Sequence, residues 1–435
     1  MQSLCCLSEF PLELLDLILI FIQSPQDFAS LALVSRFLRY VVERHLYSNI
    51  VLYDKKSCDV FPRALLNRPE RCDLVRHYTY KFPYQSQGNE FEECFMLEHL
   101  KKMNNLEHLT LDLPTWDPAV GAFHQSYPRE RAAIGAFFNC SQAMITESPT
   151  RPALKHCELK FGSSYPNAPW DFTMCDRAFL HRSLQSLRIT NAWVDGNLSD
   201  AKINSGTLSA LEHVVFEDCI INTACIEHLF QFPAELRSVS FYNAKILSVR
   251  RSDLPLPRVT WSRVIASLYR QRHSLEWLVL NELEQPVSTS SPDFSDFTAL
   301  SHLSLDVNID INRLPKKLQL LQLRIFFVPK LDGVAILRES PNVVKEKLPM
   351  LTDIVLDLRG PTVYAKASIA VAHWAEVGVK LRVRNVKSVW SVPPKMGEIE
   401  GSHPTTESST KLCQLGLTCS LTAQSRNYAL PWDSR

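Results

Sequence analysis

The chain has 435 residues, 46% hydrophobic and 21% charged, a balance that supports a large packed core in two or three domains. Lys and Arg number 47 against 46 Asp and Glu, a formal net charge of +1, so no global field favours nucleic acid or an anionic membrane. The 12 cysteines include no C-x-x-C pair, and several, such as Cys157 and Cys219, fall in apolar stretches as buried reduced thiols do. No basic region precedes the first apolar run, so the expected location is cytoplasmic or nuclear.

That first run is FPLELLDLILIFI, Phe10 to Ile22. Glu13 and Asp16 interrupt it well short of the roughly 20 apolar residues a membrane span needs. Pro11 suits a first helical turn, and Leu14, Leu15, Ile18 and Ile22 recur at helical spacing, which predicts a helix from Pro11 to Ile22. Ser24-Pro25-Gln26-Asp27 reads as a second start, with Ser24 as N-cap and Asp27 placed as in a capping box; Phe28, Leu31 and Ala32 form its apolar stripe. Ser35 caps a third segment in which Leu38, Val41, Val42 and Leu46 share one side. Three short helices of this composition carry more apolar surface than so small a bundle can bury, which implies a partner.

The order FP-LELL-x-x-IL, then DFASLALVSRFLRYVV, then LYSNI resembles the F-box, in the variant that opens many fungal F-box proteins. The resemblance implies docking to the Skp-type adaptor of a cullin-RING ubiquitin ligase, and through it to cullin. Carried over by position, the adaptor contacts would be Phe10, Pro11, Leu14, Ile18, Leu31, Val34 and Phe37, with Phe10 replacing the usual Leu. The alternative reading of the same helices is a cap that serves only the domain behind it.

Residues 51–100 read as a connecting segment, with a strand near VRHYTYKF and a helix leading inward, packed on the first repeat. From Leu106 a phrase recurs in which a lead Leu is followed three and five residues later by an apolar side chain. It appears as LEHLTL, LKHCEL, LQSLRI, LEHVVF and LRSVSF, then as LEWLVL, LSHLSL, LQLLQL and LTDIVL. The phrase matches the strand of leucine-rich repeats, and lead-to-lead intervals of 30, 27 and 25 from Leu154 to Leu236 fit a strand with a returning helix. The interval of 18 from Leu300 to Leu318 is too short for a full helix, whereas Trp261, Val264, Ile265 and Leu268 predict one. Insertions fall at DLPTWDPAVGAFHQSYPRERAAIG and SDLPLPRVT, and the repeat's Asn ladder is missing.

The predicted fold is therefore α/β: a three-helix F-box over 1–50, then an irregular leucine-rich-repeat solenoid over 101–390, a curved parallel sheet with outer helices. Residues 391–435, rich in Ser, Thr and Pro, read as a disordered tail.

Alternation turns one side of each strand away from the core. The exposed set predicted in this way includes His108, Thr110, Asp112, His156, Glu158, Lys160, Arg188, His213, Val215, Glu217, Ser238, Ser240, Tyr242, Trp277, Val279, Asn281, His302, Ser304, Asp306, Gln322, Arg324, Asp353 and Asp357. Within it the candidate contacts to a protein substrate are His108, Arg188, His213, Tyr242, Trp277 and His302, because aromatic and Arg side chains dominate binding faces. His108, His156, His213 and His302 share one repeat position, but no carboxylate spacing makes them a metal site. No nucleophile-elbow, Walker, dinucleotide or H-E-x-x-H motif is present, and with 12 glycines few phosphate-cradling loops are possible. The expectation is a non-catalytic substrate receptor without cofactor; the alternative is a repeat scaffold outside any ligase.

Overall fold

The structure, a computed structural model, describes residues 10–22, 24–81, 99–100, 102–113, 134, 137–138, 154–161, 170–171, 178–194, 208–247, 261–281, 292–306, 309–326, 334–359 and 364–385. Both predicted insertions lie largely outside these ranges. The tail over 391–435 lies wholly outside them.

Helices α1 (Leu12–Leu19), α2 (Pro25–Val34) and α3 (Arg36–Ser48) open the described chain. Helix α1 is shorter than predicted at both ends. Pro11, at φ −54° and ψ 137°, is the N-cap rather than the first helical residue. At the other end the backbone tightens, with Phe21 N–H bonded to Ile18 O and Ile22 N–H to Leu19 O, before Ser24-Pro25 starts the next helix. Ser24 Oγ accepts from Asp27 N at 3.4 Å but donates to Gln26 Oε1 at 2.9 Å, so half of the expected capping box forms. Ser35 Oγ caps α3 by accepting from Leu38 N at 3.1 Å. A reciprocal box that the sequence did not lead us to expect opens α4 (Lys55–Asn67), where Asp54 and Ser57 bond each other's backbone N–H.

Behind the helices stands a parallel sheet of 12 strands, β1-β2-β3-β4-β6-β8-β10-β12-β13-β14-β15-β16, in chain order apart from the strands that leave for a second sheet. Its members are β1 (Asn49–Leu52), β2 (His77–Lys81), β3 (His108–Leu113), β4 (His156–Phe161), β6 (Ser186–Thr190) and β8 (His213–Glu217). They continue with β10 (Ser238–Tyr242), β12 (Trp277–Asn281), β13 (His302–Leu305), β14 (Leu320–Phe326), β15 (Asp353–Arg359) and β16 (Lys380–Asn385). Each of the nine recurring phrases contributes one strand; β1 and β2 at one edge and β16 at the other carry no such phrase. Parallel neighbours need crossovers, and helices Thr223–Leu229, Trp261–Leu268, Pro341–Lys347 and Tyr364–Glu376 lie between successive strands. In the 18-residue interval the described residues between β13 and β14 form a short 3-10 turn, Ile311–Arg313, in place of a full helix, as its length dictates.

Lead leucines Leu106, Leu154, Leu184, Leu211, Leu236, Leu275, Leu300, Leu318 and Leu351 are all buried. With the inward residues of the strands, such as Leu159, Ile189, Phe216, Phe241, Leu280 and Leu323, they form one continuous core from Leu52 to Leu381. A backbone ladder locks the register just before the strands: Glu107 N–H bonds Arg76 O, Lys155 N–H bonds Glu107 O, Gln185 N–H bonds Lys155 O, and the series continues to Lys380 on Thr352.

After β6, β8 and β10 the chain turns through a left-handed residue, Asn191 (φ 59°), Asp218 (φ 53°) and Asn243 (φ 48°). Asn and Asp tolerate this region better than other side chains. Each donates its N–H to the last residue of the next strand, Asn191 to Glu217 O, Asp218 to Tyr242 O and Asn243 to Asn281 O. The residue that follows is small and buried in all three, Ala192, Cys219 and Ala244. Short strands β5 (Trp170–Asp171), β7 (Ala192–Val194), β9 (Ile220–Asn222) and β11 (Lys245–Leu247) then make a second parallel sheet in the order β11-β9-β7-β5. Among the described residues no helix is long and apolar enough to cross a membrane.

Candidate docking surface and recognition face

The N-terminal helices have a core of their own: Leu15, Leu19, Val41 and Val42 are buried, with Ile22, Phe28, Leu31, Ala32 and Phe37 packed around them. His45 Nε2 meets Asp16 Oδ1 at 2.9 Å and its ring stacks on Phe28, tying α1 and α2 to α3. Glu43 of α3 holds Arg71 at 2.6 Å and Arg68 at 3.4 Å, and Arg71 also covers the Tyr47 ring, so the module is fixed to the segment leading into β2.

Those contacts use only part of the apolar surface. Phe21 is 83% exposed, Leu33 79% and Val34 69%, and Phe10, Leu12, Leu14, Leu17, Ile18, Ile20 and Tyr40 are exposed too. Of the predicted adaptor contacts, Phe10, Pro11, Leu14, Ile18 and Val34 face solvent, while Leu31 and Phe37 are half-buried in the module's own packing. Fully burying one such side chain is worth about 1.5–3 kcal/mol.

On the sheet, register aligns the outward residues into rows. The first row runs His77, His108, His156, Ser186, His213, Ser238, Trp277, His302, Leu320, Asp353 and Lys380. His77, which the repeat phrase does not include, joins His108 and His156 in a continuous stack, with ring centroids 4.2 and 4.3 Å apart and planes within 16°. Trp277 stacks on His302 at 4.3 Å. Burial pushes His108 down to about 4, helped by the neighbouring imidazoles of His156 and His77. Burial likewise takes His213 to about 4, with Arg237 and His156 adding to it, and lowers His156 and His302. These rings are uncharged at neutral pH. Among the described residues no three His, Cys, Asp or Glu side chains are placed to hold a metal ion.

The charged residues pair within and across strands. Lys160 Nζ meets Glu158 of its own strand at 3.1 Å, and Arg188 reaches Glu158 at 3.5 Å and Glu217 at 2.7 Å on the strands to either side. At the far edge Arg382 holds Asp353 at 2.7 Å. The expectation that the whole set is exposed fails from β8 onward: Val215, Ser238, Ser240, Val279, Asn281, Ser304, Asp306, Arg324 and Asp357 are buried. Alternation settles which side of the sheet a residue takes, but not whether that side is wet. Here the rows hold small or mutually bonded side chains, such as Ser304 on Asn281 at 3.0 Å and Gln322 on Asp357 at 2.6 Å. The predicted substrate contacts His108, Arg188, His213, Tyr242, Trp277 and His302 all lie on this face and are partly exposed. His108 is in the imidazole stack, Trp277 and His302 form the second stack, and Arg188 is held between two carboxylates.

No family model matches the chain, and no curated protein matches it.

Proposed function

We propose that this protein is the substrate receptor of an SCF-type cullin-RING ubiquitin ligase, in which α1–α3 act as an F-box on a Skp-type adaptor and the leucine-rich-repeat-like sheet face takes a protein substrate. The observation that carries the reading is the apolar surface left open on α1 and α2 by a module that already has its own packed core. The repeat reading draws support from Cys219, which stands at the N/C position counted from its lead Leu211 and donates its thiol to Ile189 O of the preceding repeat at 3.3 Å. The ligase itself would supply catalysis from other subunits, and this chain would position the substrate.

The test is capture of the full-length protein by a purified Skp-type adaptor, beside the double variant Pro11→Ala, Leu14→Asp. Leu14 is 46% exposed, so a charge there leaves folding nearly unchanged, within about 0.5 kcal/mol, yet places an ion in the docked interface. Stoichiometric capture by the wild type that the variant loses, at an unchanged circular dichroism spectrum, is the expected result. Absence of capture by the wild type would return the helices to a capping role.

A further inference from the structure

On the outward face of the sheet, β10 offers two small side chains, Ser238 and Ser240, where its neighbours are large. Register places His213 and Val215 of β8 on one side and Trp277 and Val279 of β12 on the other. Tyr242 follows at the end of the strand. Strands lie about 4.8 Å apart, so the flanking backbones are separated by about 9.6 Å, and two residues of floor run about 6.6 Å. Ser238 and Ser240 are nevertheless buried, so the one-side-chain-wide cleft they would floor is closed in the free protein.

Its floor is not finished. Ser238 is 2% exposed and Ser240 0%, and neither hydroxyl makes a hydrogen bond; nor does the buried Nε1 of Trp277 beside them. Native interiors leave few buried donors unbonded, because each carries its full desolvation cost. Three on two adjacent strands mark a place where atoms from outside complete the bonding. All three can donate, and the indole can only donate, so the missing partner is an acceptor.

Charge narrows its identity. His213 beside the floor, and His302 one strand beyond Trp277, are neutral at pH 7, and the nearby cations Arg188 and Arg237 already meet Glu217, Glu158 and Glu212. A phosphate or carboxylate would be stripped of water there without a spare counter-charge, at large cost.

We propose that the cleft along β10 receives an uncharged hydrogen-bonding side chain, a carboxamide or a phenol, from an unmodified segment of the protein substrate. The inference rests on the receptor reading and sharpens it: the sheet face selects its target without requiring phosphorylation. Entry needs His213 and Trp277 to turn aside, a rotamer change that is fast for partly exposed side chains.

The test selects binders for the full-length protein from a displayed library of unmodified random peptides, in parallel with an array of phosphoserine, phosphothreonine and phosphotyrosine peptides. The expected binders are unmodified and share Asn, Gln or Tyr, and Ser238→Ala and Ser240→Ala each weaken them about tenfold, the value of one hydrogen bond. The same substitutions leave the thermal midpoint of the free protein unchanged or raise it, because they delete a hydroxyl that has no partner. A structural role for the hydroxyls would lower the midpoint, and that result overturns the proposal. Preference for phosphopeptides, indifference to both substitutions, or no enrichment also overturns it. Enrichment of peptides that copy residues 387–435 would assign the cleft to the chain's own C-terminal segment and overturn it as well. Adaptor capture measured on the same preparations separates the two readings: serine-dependent peptide binding without adaptor capture keeps the cleft and removes the ligase.

Discussion

His108 lies between two other imidazoles, and the consequence is a defined pH response. Its folded value of about 4 is below the ordinary 6.5, so between those limits the unfolded chain binds more protons than the folded one. The stabilisation is complete above about pH 6.5 and is lost as pH falls toward 4. Glu107, bonded to Arg76 at 2.6 Å and Lys155 at 3.0 Å, is the charged cluster next to the stack, and its own carboxyl is held below the usual range by those bonds despite burial. Thermal midpoints measured from about pH 7 to 4 are expected to fall for the wild type and to fall less for His108→Gln, since one proton-linked group is gone; equal slopes would show that the stack does not govern the response. The histidine positions of the repeats were readable from the sequence. That His77 continues the row was not, because it lies outside any recurring phrase and only the pairing of β2 with β3 brings it to 4.2 Å from His108.

Among the elements, the left-handed turns after β6, β8 and β10 are the most exacting. Asn191 at φ 59° pays no β-branching penalty, and a β-branched residue there does. Asn191→Val should lower the stability of the sheet by about 1–2 kcal/mol and Asn191→Gly should stay within about 0.5 kcal/mol, read from urea midpoints at constant slope. A neutral Val variant would mean that the turn can relax. The sequence displayed these turns as Asn191-Ala192, Asp218-Cys219 and Asn243-Ala244, one left-handed former followed by one small residue. Searching for an Asn ladder missed them, because the small buried residue occupies the place of the Asn.

At the scale of the molecule, the described residues form two cores, one inside the helical module and one along the sheet. The core along the sheet is a chain of contacts between neighbouring strands, whereas the module rests on a few buried side chains. Leu15→Ala should therefore abolish amide-exchange protection over α1–α3, and with it the adaptor capture proposed above, while protection in the sheet persists. Leu159→Ala, at a fully buried strand position, should cost about 2–5 kcal/mol and loosen the strands on both sides. Global loss of protection from the Leu15 variant would instead show that Glu43, Arg71 and Tyr47 couple the module tightly to the sheet.

The sequence by itself determined the strands that carry the phrase, the inward residues and the helix caps at Ser24 and Ser35, because these depend on local spacing and on hydrogen bonds a few residues long. It also determined the excess of apolar surface in the first helices. Only the tertiary structure decided that Leu31 and Phe37 turn into the module while Leu14 and Ile18 stay outside, that residues of the outward rows from β8 onward are buried, and that Ser238, Ser240 and Trp277 meet without partners. Those facts depend on which strand lies beside which, and on side chains up to about forty residues apart in the chain, a distance over which periodicity carries no information.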